Sequence, residues 1–402
     1  MLALGSAQTL AWASTYYLPA ILALPMAREL GVAPATVFAA FSAALLISAA
    51  LGPLAGRTID RVGGRPVLMA TSLCFAAGLA LLGLASGTAS LFLAWAVLGV
   101  GMGSGLYEAA FATLVRLQGQ QARASITGIT LLAGFASTVG WPLSAWLEAE
   151  FGWRAACFTW AALHLLVGLP LNARVTRVPR LTGVARVVLP ATAEQGLKPD
   201  APSATTPHPT SPQVTAPQHR TLWLLAFVFA ATWFISTAMA AHLPALLQTT
   251  GVSVGTALMV GMLVGPAQVV ARMLEFGLLR HVQPVASARL AASLHPVGVG
   301  VLVLAGPWAA PLFGLLHGAG NGVLTIAKGT LPLVYFGPTG YGGLQGVLGV
   351  PTRLAQALAP WLFGLAMARW GSGAFLLTAA LGAAACAALW ALPPAPAGGP
   401  PR

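Results

Sequence analysis

Residues 56–66 read Gly-Arg-Thr-Ile-Asp-Arg-Val-Gly-Gly-Arg-Pro and separate two long apolar runs, at 35–56 and 67–86. Four of these eleven residues are charged, whereas only 7% of the whole chain is charged. A connection this short and this basic between two runs of membrane length is typical of a cytoplasmic loop in a membrane protein. The stretch therefore predicts a hairpin of two membrane-crossing helices.

Glycine and proline set the expected geometry of this loop. We expect Gly56 to end the incoming helix, Gly63 and Gly64 to permit a tight turn, and Pro66 to open the next helix. Asp60 is the one acid among the three arginines of the stretch. Its carboxylate can pair with those arginines or face the N-terminus of a helix, where negative charge is favoured.

The composition excludes an ordinary soluble protein. Hydrophobic residues make up 57% of the 402 residues and the mean hydropathy is +0.81. The net charge of +12 does not indicate nucleic-acid binding, because the arginines lie between apolar runs, where their partner is the anionic cytoplasmic leaflet of a lipid bilayer. Three cysteines inside apolar runs form neither a disulfide framework nor a metal-binding spacing; they are Cys74, Cys157 and Cys386. We expect no metal and no cofactor.

Twelve apolar runs are long enough to cross about 30 Å of hydrocarbon, which takes about 20 helical residues. We number them spans 1 to 12: 4–26, 35–56, 67–86, 90–115, 123–147, 154–172, 221–248, 254–279, 286–306, 309–333, 343–367 and 373–393. The first run has no basic segment before it and is longer than a signal-peptide core of about 7–15 residues. We therefore expect it to be retained as span 1.

Basic residues are distributed unequally between the two ends of the spans. With the N-terminus inside, the cytoplasmic connections hold thirteen of them: Arg57, Arg61, Arg65, Arg116, Arg123, Arg174, Arg177, Arg180, Arg186, Lys198, Arg220, Arg280 and Arg289. The opposite side holds three, Arg28, Arg154 and Arg369. This asymmetry predicts that both termini are cytoplasmic, and we expect an integral protein of a bacterial inner membrane.

Residues 173–220 interrupt the pattern with eight prolines, scattered Ser and Thr, and no apolar periodicity. This composition predicts a disordered cytoplasmic linker between an N-terminal six-helix bundle, 1–172, and a C-terminal one, 221–402. The two halves also repeat each other. Leu18-Pro19-Ala20 is similar to Leu243-Pro244-Ala245, and the glycines of span 4 recur in span 10, with Gly101, Gly103 and Gly105 matching Gly318, Gly320 and Gly322.

The loop at 56–66 resembles the one between helices 2 and 3 of the major facilitator superfamily. That pattern is Gly, three residues, Asp-Arg, any residue, Gly and two basic residues. Gly64 departs from it, and five residues match it: Gly56, Asp60, Arg61, Gly63 and Arg65. The resemblance implies an all-α membrane fold with twelve transmembrane helices in two six-helix bundles, and secondary transport by alternating access. It also implies that the loop latches helix 2 to helix 11 as part of a gate; the alternative is a plain orientation anchor.

Ionisable side chains at a helix centre cost about 2.5–3.5 kcal/mol on insertion scales, so we expect those inside the spans to face an interior cavity. Polar residues at helical spacing form stripes on spans 1, 4, 7, 8, 10 and 11. The candidate substrate-binding residues are Trp12, Tyr16, His242, Gln268, Arg272, His317, Asn321, Arg353 and Gln356. The candidate gating or coupling residues are Glu108, Glu275 and Lys328, together with the five loop residues that match the family pattern.

Arg272 and Arg353 suggest the class of substrate. The sequence is similar to the monocarboxylate and oxalate-type branch of the superfamily, in which basic residues on helices 8 and 11 hold a substrate carboxylate, and these arginines stand on the matching spans. A guanidinium binds carboxylate through two parallel hydrogen bonds. Glu275 can neutralise Arg272 along the helix, which makes a purely structural pair the alternative. Arg353 has no acid nearby in sequence, so a substrate carboxylate or a distant glutamate must compensate its charge.

Other polar residues have plainer interpretations. We expect Glu108 to be a gate or packing partner of Arg116 or Arg123. Lys328 lies near the cytoplasmic end of span 10, where it can snorkel to the interface. His317 has no acid beside it in sequence, so an ordinary hydrogen-bonded membrane histidine is the alternative to a ligand-binding role.

These features predict a monomeric secondary transporter for a small solute, an organic anion, with a coupling ion as a further partner. The alternative is efflux of a toxic compound such as an arsenical or a drug, although Trp95 and the stretch Gly140-Trp141-Pro142 depart from the motifs of drug–proton antiporters. A membrane-embedded sensor is less favoured, because it needs a folded soluble domain that the linker composition does not support. We do not expect an enzyme, because no nucleophile with a base, no metal cluster and no nucleotide loop is evident.

Overall fold

The computed structural model describes residues 1–176, 216–278 and 281–394, and every regular element within them is a helix. Residues 177–215 lie outside the described part of the chain, and so does Arg280. The prediction of a disordered linker falls largely on those residues, as do four of the basic residues used for the orientation: Arg177, Arg180, Arg186 and Lys198.

The described helices follow the twelve predicted spans in order. Span 1 consists of Leu2–Ser14 and Pro19–Leu30, span 2 of Pro34–Val62, span 3 of Gly64–Gly83, and span 4 of Thr88–Gly105 and Tyr107–Gln118. Span 5 begins with Ala122–Ala133 and continues in Ala136–Leu163. The second of these helices also contains the start of span 6. Span 6 is completed by a π turn, His164–Gly168, and the helix Leu169–Ala173. Spans 7 to 12 are Ala216–Gln248, Val254–Gly277, Pro284–Ala305, Ala310–Phe336, Tyr341–Trp370 and Ala374–Trp390.

Seven helical stretches in the described residues are long and apolar enough to cross a membrane, and two of them contain more than one crossing. The stretch 88–173 passes through Gly119 (φ +58°) and Gly152 (φ +80°), and the stretch 341–390 passes through Gly371 (φ +54°). Glycine tolerates positive φ, so the chain can change direction at these points. These stretches hold ten of the twelve spans, and spans 1 and 10 are helical without being among the seven. The architecture is the expected all-α membrane fold of twelve helices in two six-helix bundles.

Each half of the chain has its own apolar core. The large buried cluster of the first half takes only Leu333 and Tyr341 from the second half. The other buried clusters lie within residues 225–392. The boundary between the two cores is therefore where polar side chains of both halves meet.

Glycines pack span 4 against span 2 and span 10 against span 8 in the same way. A Cβ on Gly99 would lie 2.6 Å from the carbonyl oxygen of Ala44, and a Cβ on Gly318 would lie 2.6 Å from that of Val264. The same contact recurs one turn later in both halves. Gly99 therefore corresponds to Gly318 by contact, so the predicted match of Gly318 with Gly101 is two positions out of register.

The helix of span 2 runs through Gly56 and ends at Val62, so the prediction that Gly56 ends the helix is wrong. Gly63, with φ +86°, forms the turn into span 3. Gly56 serves a close approach instead, because a Cβ at this position would overlap the carbonyl oxygen of Gly342 in span 11. Spans 2 and 11 therefore touch backbone to backbone.

Span 4 is interrupted at Leu106, whose backbone is extended. Gln8 of span 1 donates from Nε2 to the carbonyl oxygen of Gly105 at 2.7 Å, which satisfies one backbone acceptor at the end of the first helix. The helix restarts at Tyr107 and places Glu108 in its first turn. A carboxylate is favoured at a helix N-terminus, so the break in span 4 stabilises the negative charge of Glu108 at this position.

Candidate functional site

Glu108, Lys328 and Arg353 form an ion cluster where the two halves of the molecule meet. Lys328 Nζ lies 2.6 Å from Glu108 Oε1, and Arg353 Nη2 lies 3.1 Å from Glu108 Oε2. Both cations are 3% exposed, and this one carboxylate is the ion-pair partner of both. Glu108 thus pairs with these residues instead of the expected Arg116 or Arg123, and Lys328 does not extend to the membrane interface.

Neighbouring side chains join the ion cluster to both halves. The Lys328 ammonium lies 4.9 Å from the centre of the Trp233 ring in span 7. Arg353 donates from Nη1 to Gln356 Oε1 at 3.4 Å, and Gln356 donates from Nε2 to the Tyr16 hydroxyl of span 1 at 3.1 Å. Three predicted residues, one in span 1 and two in span 11, therefore share one network.

Aromatic rings pack beside this network. The ring centre of Trp12 lies 5.2 Å from that of Tyr16 and 4.7 Å from that of Tyr107. The rings of Trp12 and Trp233 have centres 6.4 Å apart and planes 21° from parallel. Trp12 is 3% exposed, and its indole nitrogen has no hydrogen-bond partner in the described structure. The predicted Trp12 thus lies at the interface between the halves.

Arg272 reaches the same interface from span 8 and is held by neutral groups. Its guanidinium donates at 3.2–3.4 Å to four oxygen atoms, which belong to Thr130, Gln268, Gly322 and Thr325. The span 5 helix is interrupted at Gly134, where a Cβ would come within 2.5 Å of Arg272 Nη1. Arg272 forms no ion pair within the described residues, so the predicted pairing with Glu275 is wrong.

Glu275 pairs across the interface instead of along its own helix. Arg123 of span 5 donates from Nη2 to Glu275 Oε1 at 3.3 Å and to the carbonyl oxygen of Val282 at 2.8 Å. These bonds connect span 5 with span 8 and with the connection that follows it. Because this connection and the 56–66 loop lie on the same, predicted cytoplasmic, side, the contact ties the two halves together there.

Asp60 forms a second contact of this kind between spans 2 and 11. Its Oδ1 accepts from the amide of Gly342 at 2.9 Å, and its Oδ2 accepts from the amide of Gly343 at 2.7 Å. Both amides belong to the first turn of span 11, where a helix N-terminus favours an anion. Of the two expected kinds of partner, Asp60 contacts the helix N-terminus. In the part of the chain described it forms no ion pair with the loop arginines, Arg57, Arg61 and Arg65.

Three predicted residues lie away from the ion cluster. His242 is within 2.8 Å of the carbonyl oxygen of Pro360 through Nε2. His317 Nδ1 lies 3.0 Å from His295 Nδ1 in span 9, and Asn321 lines the same small crevice as this histidine pair. That crevice lies among spans 7, 9, 10 and 12, inside the second half.

Trp233 and Thr130 were missed by the sequence reasoning, although both contact predicted residues. The internal repeat could have found Trp233, because spans 1 and 7 correspond and each carries a tryptophan near its middle. No sequence signal identifies Thr130, since it accepts from Arg272 through its backbone carbonyl.

Positive charge exceeds negative charge at this interface. Lys328 and Arg353 share Glu108, Arg272 has only neutral partners, and Glu275 is engaged by Arg123. Within the described residues, two buried cations at the interface share one carboxylate and a third, Arg272, has none. An arrangement of this kind can accept an anion between the two halves.

A sequence model of the Major Facilitator Superfamily matches residues 4–313. No curated protein matches the sequence. Similar folds are found in a proton:xylose symporter bound to 6-bromo-6-deoxy-D-glucose (13% identity, TM-score 0.73, 98% of this chain and 96% of that chain covered) and in a human organic anion transporter (17%, 0.63, 96% and 97%). The E. coli fucose:proton symporter is also similar (15%, 0.68, 97% and 98%). At these identities the likeness shows a shared fold.

Proposed function

Because the chain belongs to the major facilitator superfamily, whose members are integral membrane transporters and not enzymes, we propose that this secondary transporter moves a small organic anion by alternating access. One observation carries the proposal: buried cations outnumber carboxylates where the two halves meet. Lys328 and Arg353 share Glu108, while Arg272 is held by neutral oxygens. An uncompensated charge inside a bilayer is costly, so an anion bound here lowers the free energy of the site.

Arg353 and Lys328 are the proposed donors to the substrate carboxylate. Arg353 offers a planar fork that matches two carboxylate oxygens, and Lys328 adds a compact charge from the preceding helix, span 10. Gln356 and Tyr16, already joined by a hydrogen bond across the interface, are placed to contact the rest of a polar head group. Arg272 supplies the further positive charge that favours entry of an anion.

Glu108 is the proposed coupling residue. It occupies both cations in the structure, so a substrate carboxylate has to compete with it for Lys328 and Arg353. A carboxylate that loses both partners in the bilayer interior carries an uncompensated buried charge, which a proton would neutralise. Anion and proton would then cross together, and the proton is the proposed coupling ion.

The contacts of Asp60 and Arg123 are the proposed gate. Each joins the two halves on the predicted cytoplasmic side, one between spans 2 and 11 and the other between spans 5 and 8. Opening toward the cytoplasm requires both contacts to break. The loop at 56–66 would thus act as a latch, in line with the family pattern that it resembles.

Among the similar folds, one belongs to a protein described as an organic anion transporter and two belong to proton symporters for sugars. The fold alone therefore favours no class of substrate. The preference for an anion comes from the charges of this chain. The same charges are the basis for proposing that the chain is related to the monocarboxylate and oxalate-type branch.

The test is ligand-induced thermal stabilisation of the purified protein against a panel of monocarboxylates, oxalate, and neutral and cationic compounds. We expect a carboxylate to stabilise the wild type and to lose this effect in Arg353→Gln. Arg353→Lys should recover only part of it, because an ammonium lacks the two-pronged geometry. Arg369→Gln is the matched control, since Arg369 is exposed on the opposite side and should respond as the wild type does. Equal stabilisation of the wild type and Arg353→Gln by a neutral or cationic compound would replace the anion proposal with efflux of a toxic compound.

A further inference from the structure

We infer that the transported anion carries a flat aromatic or conjugated body, which inserts between the rings of Trp12 and Trp233. The inference rests on the proposed anion function and names the class of substrate for that same site. It comes from the geometry of the aromatic side chains, which the charge argument does not use.

The two indole rings belong to opposite halves and face each other across the interface. Their planes are 21° from parallel and their centres are 6.4 Å apart. A third ring between them needs about 7 Å, which is two carbon–carbon contact distances of about 3.5 Å. The spacing between the planes is no larger than the 6.4 Å between the centres, so the halves have to separate, as transport requires in any case, before a ring can enter between the indoles.

The slot lies beside the cations that would hold the carboxylate. The Lys328 ammonium is 4.9 Å from the centre of the Trp233 ring, and Lys328 and Arg353 bind the same carboxylate. One small molecule can therefore place a ring between the indoles and a carboxylate on the cations. Rings stack best in offset parallel or edge-to-face arrangements; Tyr16 meets Trp12 edge to face, and Tyr107 packs against it at a tilt of 41°.

The indole N–H of Trp12 supports a ligand in this position. It is buried and has no hydrogen-bond partner in the described residues, although a buried donor without a partner costs free energy. An oxygen of the ligand, either in the carboxylate or in a ring hydroxyl, would satisfy it.

The test compares benzoate with cyclohexanecarboxylate, which have the same charge and number of carbon atoms and differ in planarity. Their dissociation constants are measured on the full-length purified protein by thermal stabilisation and by quenching of tryptophan fluorescence. We expect benzoate to bind about three- to tenfold more tightly than cyclohexanecarboxylate, which is the scale of one favourable aromatic contact. The ratio of the two constants should fall to about one in Trp233→Leu and persist in Trp233→Phe.

Trp146→Phe is the matched control, because Trp146 is exposed and contacts only Phe151 among the described aromatic rings; its ratio should equal that of the wild type. Trp12→Leu tests the same slot from the other half if Trp233→Leu does not fold. Equal affinities for the two acids in the wild type would overturn the inference and leave the anion proposal standing. Binding of neutral benzamide with no binding of either acid would overturn both.

Discussion

Replacing Gly56 by alanine tests whether this glycine is needed for the close contact between spans 2 and 11. Span 2 meets span 11 backbone to backbone at Gly56, and a Cβ there would overlap the carbonyl oxygen of Gly342. Neither atom belongs to a flexible side chain, so one helix has to move away from the other. Inserting one carbon into such a contact costs about 1–3 kcal/mol.

That cost falls on the conformation in which the predicted cytoplasmic side is closed. It shifts the equilibrium toward the open conformation by about five- to 150-fold. The helix itself should not be weakened, because alanine is a better helix former than glycine by about 1 kcal/mol. Gly52, one turn earlier in the same helix, is the matched control: a Cβ there would lie 3.6 Å from the carbonyl oxygen of Gly346, an ordinary contact distance.

The measurement is the distance between spin labels at Arg61→Cys and Thr339→Cys in a protein without its native cysteines. Arg61 and Thr339 are exposed near the facing ends of spans 2 and 11. We expect Gly56→Ala to move the distance distribution toward longer values and Gly52→Ala to leave it unchanged. Identical distributions for Gly56→Ala and the parent protein would refute the assignment of Gly56 to the closed interface.

Three further predictions concern the latch, the ion cluster and the topology. Asp60→Asn removes the charge that two amides of span 11 engage, so we expect normal amounts in the membrane and altered transport kinetics; unchanged kinetics would reduce the loop to an orientation anchor. Glu108→Gln leaves two buried cations without their carboxylate, which should lower the free energy of unfolding by about 3–5 kcal/mol, measurable by thermal unfolding. In the same variant, uptake driven by a proton gradient should disappear while exchange of substrate across the membrane continues, and proton-driven uptake would contradict the coupling role. Reporter fusions at Arg186 and at the C-terminus should both be cytoplasmic, and either one outside the cell would overturn the topology.

The architecture could be predicted from the sequence because few kinds of backbone structure can cross a bilayer. Twelve apolar runs of membrane length predict twelve crossings, and the structure has a helix in each. The breaks within spans were not predicted, since neither Leu106 nor Gly134 differs from other apolar or small residues in the sequence. What makes Leu106 a break is the neighbouring span, where Gln8 satisfies the freed carbonyl of Gly105.

The sequence predicted which residues lie in the site better than it predicted which of them form ion pairs. Arg353 was expected to need either a substrate carboxylate or a distant glutamate, and the structure has the second of these, Glu108, 245 residues away along the chain. Helical spacing suggested Glu275 for Arg272, but the two side chains point to different neighbours. Spacing within one helix identifies residues that share a face, whereas the choice of partner depends on what the opposing helix presents to that face.

The latch of Asp60 has a genetic consequence, because its partners are main-chain amides and not side chains. Every residue except proline supplies an amide, so only a proline at position 342 or 343, both in the first turn of span 11, can remove a donor. Reversing charges between Asp60 and a partner, the usual way to demonstrate an ion pair, has no meaning for this contact. Revertants that restore transport to an Asp60 variant should therefore map to Arg123, Glu275 or the glycines that set the spacing of spans 2 and 11, where the balance between the two conformations can still be adjusted.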